Sequence, residues 1–175
     1  MLPTFHISKA TTADIDALVT LVNSAYRGES SKQGWTTEAD LLDGSRTDTA
    51  TLFLEMQNPN QQFLKAVDAS NKIIGCVSLV KKDALLYLGM LTVQPTIQAK
   101  GIGKALLAAA ETTAIALGLN TIEMTVISVR TTLIDWYIRN GYQLTGETLP
   151  FPTDPKFGIQ KQALVFCVLQ KKLQH

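Results

Sequence analysis

The sequence holds only two cysteines, Cys76 and Cys167, far apart and each inside an apolar run. Neither has a neighbouring histidine or a CxxC spacing. A disulfide framework and a cysteine nucleophile are therefore set aside, and both read as buried, reduced small hydrophobes. Histidine is as scarce: His6 and His175 lie near the two ends without partner spacing, so no metal or base role is assigned to either. An excess of one charge is missing too. Lys and Arg number 16 against 15 Asp and Glu, and a net charge of +1 gives no global field to draw in nucleic acid or an anionic membrane. No apolar run approaches the ~20 residues that span a bilayer. The first stretch, MLPTFHISKATTADIDALV, has no basic segment followed by an apolar one, so no signal peptide is expected and a cytoplasmic location is. Repeats, linkers and low-complexity blocks are also lacking, which leaves one domain over 1–175, with monomer and homodimer both open.

What remains is an ordinary folding composition, 46% hydrophobic and 18% charged. Phe5 to Lys9 alternates weakly as an edge strand. Thr11-Thr12-Ala13-Asp14 has capping-box spacing, and Ile15, Leu18, Val22 and Ala25 then follow helical spacing to about Arg27. The polar stretch from Gly28 to Thr49 reads as loop plus a short helix, with an apolar piece at Leu41-Leu42; another short helix is expected around Thr51 to Met56. Gln62 to Val67 and Lys72 to Val80 flank turn residues and read as a hairpin. Leu85 to Val93 is a further strand. Ile102, Leu106, Ala109, Thr113 and Ala116 keep a 3.6-residue period up to Gly118. A strand from Thr121 to Ile127, a short helix from Thr131 to Asn140, and strands at Tyr142–Thr145 and Ala163–Leu169 complete the order. Seven strands, hairpin-rich at first and then alternating with helices, predict a mixed α/β sheet with helices on its faces.

The most informative segment runs from Val93 through Gln98-Ala99-Lys100-Gly101-Ile102-Gly103-Lys104 into the long helix. A helix start carries unpaired N–H groups and partial positive charge, and so takes anions readily. Three phosphate motifs compete for it. A P-loop needs glycine where Gln98 stands and Ser or Thr where Ala105 stands. The dinucleotide fingerprint needs Gly or Ala where Leu106 stands. Both fail. The pattern that fits, Gln-x-x-Gly-x-Gly, resembles the pyrophosphate loop of the GNAT superfamily of acetyl-CoA-dependent N-acetyltransferases. A second segment, Leu133 to Tyr142, resembles that family's other hallmark: a hydrophobic residue, Tyr137, a polar turn, then Gly141-Tyr142. The likeness is specific from about Leu85 to Thr145, and from Ile7 to Val80 extends only to the order of elements.

The resemblance implies a GNAT-like central sheet splayed between its fourth and fifth strands. It implies acetyl-CoA as co-substrate, its pantetheine arm lying along Leu91, Thr92 and Val93 and its pyrophosphate on the N–H groups of Gln98, Ala99, Lys100, Gly101, Ile102, Gly103 and Lys104. Tyr137 matches the family's general acid, beside the CoA sulfur, and a phenol with a reference pKa of about 10 is protonated at neutral pH and suited to a nascent thiolate. Packing alone is the other role open to it, and Trp136 reads as core or cofactor wall. Arg130 departs from the family, where many members carry an Asn; a CoA phosphate, an acceptor carboxylate and solvent are all open as its partner. No general base stands out, although Glu123 is placed to relay a proton through water. Glu29, Glu38 and Asp40 read as solvated surface carboxylates. The acceptor wall is expected from Tyr26, Arg27 and Glu29 through Trp35 to Glu38, the segment where family members build the acceptor pocket, and from the proline-rich loop Glu147 to Gln162. That stiff loop narrows the groove a peptide would need, so direct acetyl transfer to a small amine is the expectation, with protein or peptide acetylation and a non-catalytic CoA-binding module as alternatives.

Overall fold

A computed structural model describes residues 4–27, 37–97, 101–152 and 158–174. Seven strands form one sheet in the order β1-β3-β4-β5-β6-β9-β7, with β1 at Phe5–Lys9, β3 at Gln61–Asp68, β4 at Ile73–Lys81, β5 at Leu86–Val93, β6 at Thr121–Ile127, β7 at Gln143–Pro150 and β9 at Val165–Lys172. Every pairing is antiparallel except β5 with β6. Among the described residues four α-helices accompany the sheet: α1 (Ile15–Tyr26), α2 (Thr49–Gln57), α3 (Ile102–Ala116) and α4 (Thr131–Arg139).

The sheet is covered on both faces, which is why β4 is buried along most of its length. One cluster joins Leu18, Val22 and Ala25 of α1 to Leu52 of α2 and to Phe63 and Cys76 of the sheet. The other joins Leu106 and Ala110 of α3 and Leu133 of α4 to Val77, Leu88, Ile122 and Met124. Helix α3 lies so close that a methyl group added at Gly75 would come within 3.0 Å of the Thr92 carbonyl and 3.1 Å of Ile102. At the start of α1, Asp14 accepts from the Thr11 amide at 2.9 Å and pairs with Lys65 at 2.9 Å, so the spacing read as a cap does form one.

Of the stretch expected to hold loop plus a short helix, residues 28–36 lie outside the described ones; in the rest, Leu42–Asp43 is a short strand, β2, paired with β8 at Ile159–Gln160. One expectation is corrected. The strand expected at Tyr142–Thr145 runs on to Pro150, because it is the sheet's outer strand, paired with β9 alone, and is exposed throughout. An outer strand has no inward alternation for sequence reading to follow.

The sheet forks at β5 and β6. These two strands pair only at Leu86–Ile122 and Tyr87–Glu123, while β6 stays paired with β9 from Thr121 to Ile127. Beyond Tyr87 the two run without a shared ladder, and the Tyr87 hydroxyl spans the crotch to Thr125 Oγ1 at 2.7 Å. A bulge begins the divergence: Ser78 pairs with Gly89 but Cys76 with Thr92, so β5 carries an extra residue. Met90 takes it up with φ of +53°, a backbone region that side chains other than glycine rarely visit.

Candidate active site

The fork opens into a cavity of about 290 Å³, the low end of the range for small-molecule sites. Its walls come from Tyr87 to Leu91 on one prong and Met124 to Ile127 on the other, with Tyr26 and Arg27 at the end of α1, Arg130 and Tyr137 from α4, and Phe151 and Pro152 beyond β7. Elements from the whole chain thus converge where the sheet leaves its own edge unpaired.

Tyr137 is 5% exposed and lines this cavity, its ring edge-on to Trp136 and Tyr142. Among the described residues nothing hydrogen-bonds its hydroxyl. Burial pushes its pKa well above that of an ordinary phenol, and Tyr26 and Tyr142 add to the rise while Arg130 opposes it. The group is a proton donor at every physiological pH. The α4 helix that carries it ends as its sequence suggests, with Gly141 at φ +96° and the Tyr142 amide on the Tyr137 carbonyl at 3.1 Å.

Tyr26 ties α1 to the bulge, its hydroxyl donating to the Leu91 carbonyl. Burial raises its pKa to about 12, so it too remains a donor. Leu91 has no partner residue in β4 and lines the cavity. Thr92 and Val93 do not line it: the Thr92 hydroxyl turns back to the Met90 carbonyl at 3.0 Å, and Val93 packs beneath α3 beside Gly103.

Glu38 was read from sequence as a surface carboxylate; the structure corrects this. It is 8% exposed and sits between two guanidiniums. Its Oε1 accepts from Arg27 Nε at 3.1 Å and Nη2 at 3.0 Å, and its Oε2 from Arg130 Nη1 at 3.2 Å. Of the partners open to Arg130, solvent is excluded: the side chain is 8% exposed. Its Nη2 is buried with no hydrogen-bond partner. Arg46, which sequence reading passed over, also lines the cavity and lies 5.6 Å from the centroid of the Tyr26 ring, with Arg130 at 6.0 Å. These contacts join positions 11 and 92 residues apart, and no local pattern announces them.

Glu123 is not in the cavity wall. It occupies the last paired position before the fork and accepts from Gln170 at 2.7 Å. Glu29, Trp35, Gln98, Ala99 and Lys100 lie outside the described residues.

Helix α3 opens at Gly101, whose φ of +83° only glycine adopts at ease, and a methyl group there would meet nothing within 4 Å. That residue is chosen for backbone shape. Gly103 is chosen for contact, since an added methyl would touch the Trp136 ring at 3.4 Å. The Ile102 side chain is core, 1% exposed, and only its backbone can face a ligand. The first turn carries no acid, and Lys104 stands there exposed. A lysine at the positive end of a fifteen-residue helix is the reverse of the usual preference, and a bound anion removes the conflict. These residues fit a diphosphate, and the apolar prongs of the fork fit an extended pantetheine arm.

Residues 37–151 match the family model described as Acetyltransferase (GNAT) domain. That is more than half of the chain, and the chain belongs to this family of acetyl-CoA-using N-acetyltransferases. Solved structures agree on the fold. One is PaiA N-acetyltransferase from Thermoplasma acidophilum in complex with coenzyme A, 21% identical, with TM-score 0.69 over 97% of this chain and 99% of that one. A second is the ribosomal-protein-S18-alanine N-acetyltransferase from Escherichia coli, 14% identical, TM-score 0.73, over 98% and 96%. A third is a putative phosphinothricin N-acetyltransferase, 14% identical, TM-score 0.74, over 98% and 100%. The comparison with curated protein sequences gave no match. No helix among the described residues is long and apolar enough to cross a membrane.

Proposed function

We propose that the chain acts as a single acetyltransferase domain that moves the acetyl group of acetyl-CoA directly onto a small amine held in the forked cavity. The main-chain N–H groups from Gln98 to Lys104 take the diphosphate, and the apolar prongs beyond Tyr87 take the pantetheine arm. The neutral amine attacks the thioester carbonyl, forming the C–N bond; as the carbonyl re-forms, the C–S bond breaks and the electron pair leaves on sulfur. Tyr137 donates its proton to that sulfur, and the proton lost by the amine passes to water. Burial raises the phenol's pKa, so it stays protonated and ready to donate as the thiolate forms. The Leu91 amide, on the bulge and without a partner residue in β4, is the donor assigned to the carbonyl oxygen. Tyr26 positions that segment through the Leu91 carbonyl.

One observation carries this reading: the fork, the bulge and the buried phenol meet in one cavity. The small acceptor is supported by the cavity's size and by Phe151 and Pro152 lining one side of it. The test is thiol release from acetyl-CoA across a panel of amino acids, polyamines and unstructured peptides. Turnover of small amines with peptides inert is expected. Peptide turnover with the small amines inert would replace the acceptor, and calorimetry showing no CoA binding would remove the reading altogether.

A further inference from the structure

Three guanidiniums, those of Arg27, Arg46 and Arg130, line the cavity against one carboxylate among its described residues. Glu38 is fully engaged: Oε1 serves Arg27 twice and Oε2 serves Arg130 Nη1. Arg130 Nη2 is left buried without an acceptor, on a side chain that is 8% exposed. Arg46 makes no ion pair among the described residues. Among these Arg46 has only the longer-range attraction of Glu55, and the Arg46 and Arg130 guanidiniums hang over the same Tyr26 ring, at 5.6 and 6.0 Å from its centroid. A buried donor without a partner, such as Arg130 Nη2, costs free energy unless an acceptor arrives to meet it. A guanidinium fork suits an oxyanion with two acceptor oxygens.

Resting on the acetyl-transfer reading above, we propose that the acceptor is a short amine bearing its own anionic group, a carboxylate or a phospho group, which Arg130 and Arg46 bind over the Tyr26 ring. The cofactor's phosphates do not supply that anion. No described residue of α3 lines the cavity, so the diphosphate site at Gly101 to Lys104 lies outside it. The cavity also limits length: about 290 Å³ holds a small amino acid and not a long diamine. Glu38 here is a positioning residue: it holds Arg27 and Arg130 in place and leaves the second nitrogen of Arg130 to the acceptor.

The experiment compares matched amines: L-leucine with L-leucinamide and isoamylamine, and 2-aminoethylphosphonate with ethanolamine. The anionic member of a set should show kcat/KM at least about tenfold above its neutral partners, from one charge-assisted contact. The leucine and phosphonate arms tell a carboxylate acceptor from a phospho one. In Arg130→Gln and Arg46→Gln that preference should collapse toward unity through KM, while calorimetric binding of CoA shows that each variant is folded; Arg130→Lys should keep part of it. N-acetyl-L-leucine titrated into CoA-saturated protein gives a readout without turnover: it should bind, N-acetyl-leucinamide should bind at least about tenfold more weakly, and Arg130→Gln should erase the difference. Amine turnover without preference for the anionic member overturns this proposal and leaves acetyl transfer standing. Arginine-dependent binding of the N-acetyl acid with no thiol release supports the anion site and removes the acetyl-transfer reading. Absence of both overturns both.

Discussion

Replacing Tyr137 by Phe removes one oxygen and almost no volume, and the structure separates its consequences. The hydroxyl has no hydrogen-bond partner among the described residues, while the ring is held by Trp136 and Tyr142 at centroid distances of 5.1 and 5.8 Å. The ring contacts survive in Tyr137→Phe, so stability should hold to within about 1 kcal/mol, because no hydrogen bond among the described residues is lost. CoA affinity should be unchanged, since no cofactor contact is assigned to the oxygen before the thiolate forms. The chemical step is another matter. A positioned general acid contributes about 10²- to 10⁴-fold, so kcat should fall by at least about 10², equivalent to about 2.7 kcal/mol of barrier. The pH profile gives a second check. Because burial raises this phenol's pKa above 10, the donor form persists past the pH at which a free tyrosine ionises, and wild-type kcat should show no loss of an acid at or below pH 10. Stopped-flow thiol detection, calorimetry with CoA and thermal melting measure the three quantities on one sample. A fall in kcat of less than about threefold, or a loss of CoA binding in step with it, would refute the assignment of Tyr137 as acid.

Gly101→Ala should cost about 1–2 kcal/mol in urea melts and weaken CoA binding; its φ of +83° supplies the whole penalty because open space surrounds the new methyl group, and a neutral substitution would contradict that. Glu38→Gln leaves two buried guanidiniums without their shared charge and should destabilise by about 3 kcal/mol, visible as a lowered denaturant midpoint; an effect below about 1 kcal/mol would mean that the cluster is solvated. Asp14 is pushed up by burial, but the Thr11 amide and Lys65 outweigh this and hold its pKa below the usual 3.8. Its stabilisation is therefore complete above about pH 4 and lost as the pH falls toward the folded-state value, so Asp14→Asn should lower the melting temperature at neutral pH and flatten the acid limb; an unchanged acid limb refutes the link.

The parts legible in the sequence were those written locally. The α3 period, the Gly101–Gly103 start and the Gly141 stop each depend on residues a few positions apart, and each element appears near its expected place. The fork was inferred from a family likeness, not from the residues of β5, which read as one uninterrupted strand. Its physical cause, the extra residue and the positive φ at Met90, follows directly on Gly89, and that single glycine inside a strand is the one local signal of a bulge, which the periodic reading of β5 passes over. Glu38 was misread because a lone acidic residue in a polar stretch resembles surface until its partners are known, and those partners are Arg27 and a residue 92 positions away. Arg46 was missed for the same reason. Its place in the cavity depends on Asn23, whose side-chain carbonyl holds the Arg46 amide at 2.7 Å and whose amide reaches the Thr47 carbonyl at 3.0 Å, anchoring this segment to α1 across a polar run with no periodicity.

That buried cluster bears on the role of Arg130. An Arg–Glu–Arg arrangement out of water is poor cement, because desolvating three charges offsets most of their attraction, and apolar residues of similar volume commonly hold a fold as well or better. The fold around it does not need the help: the helical faces and β4 already bury a core on both sides of the sheet, and α4 is fixed by Leu133, Ile134 and Tyr137. A charge kept at such cost, with one nitrogen still lacking an acceptor, is explained by what enters the cavity and not by what surrounds it. The fork and the phenol would serve any amine. On the proposal made above, the two arginines over Tyr26 make the choice among amines, where β5 and β6 part and leave a shared ladder unmade.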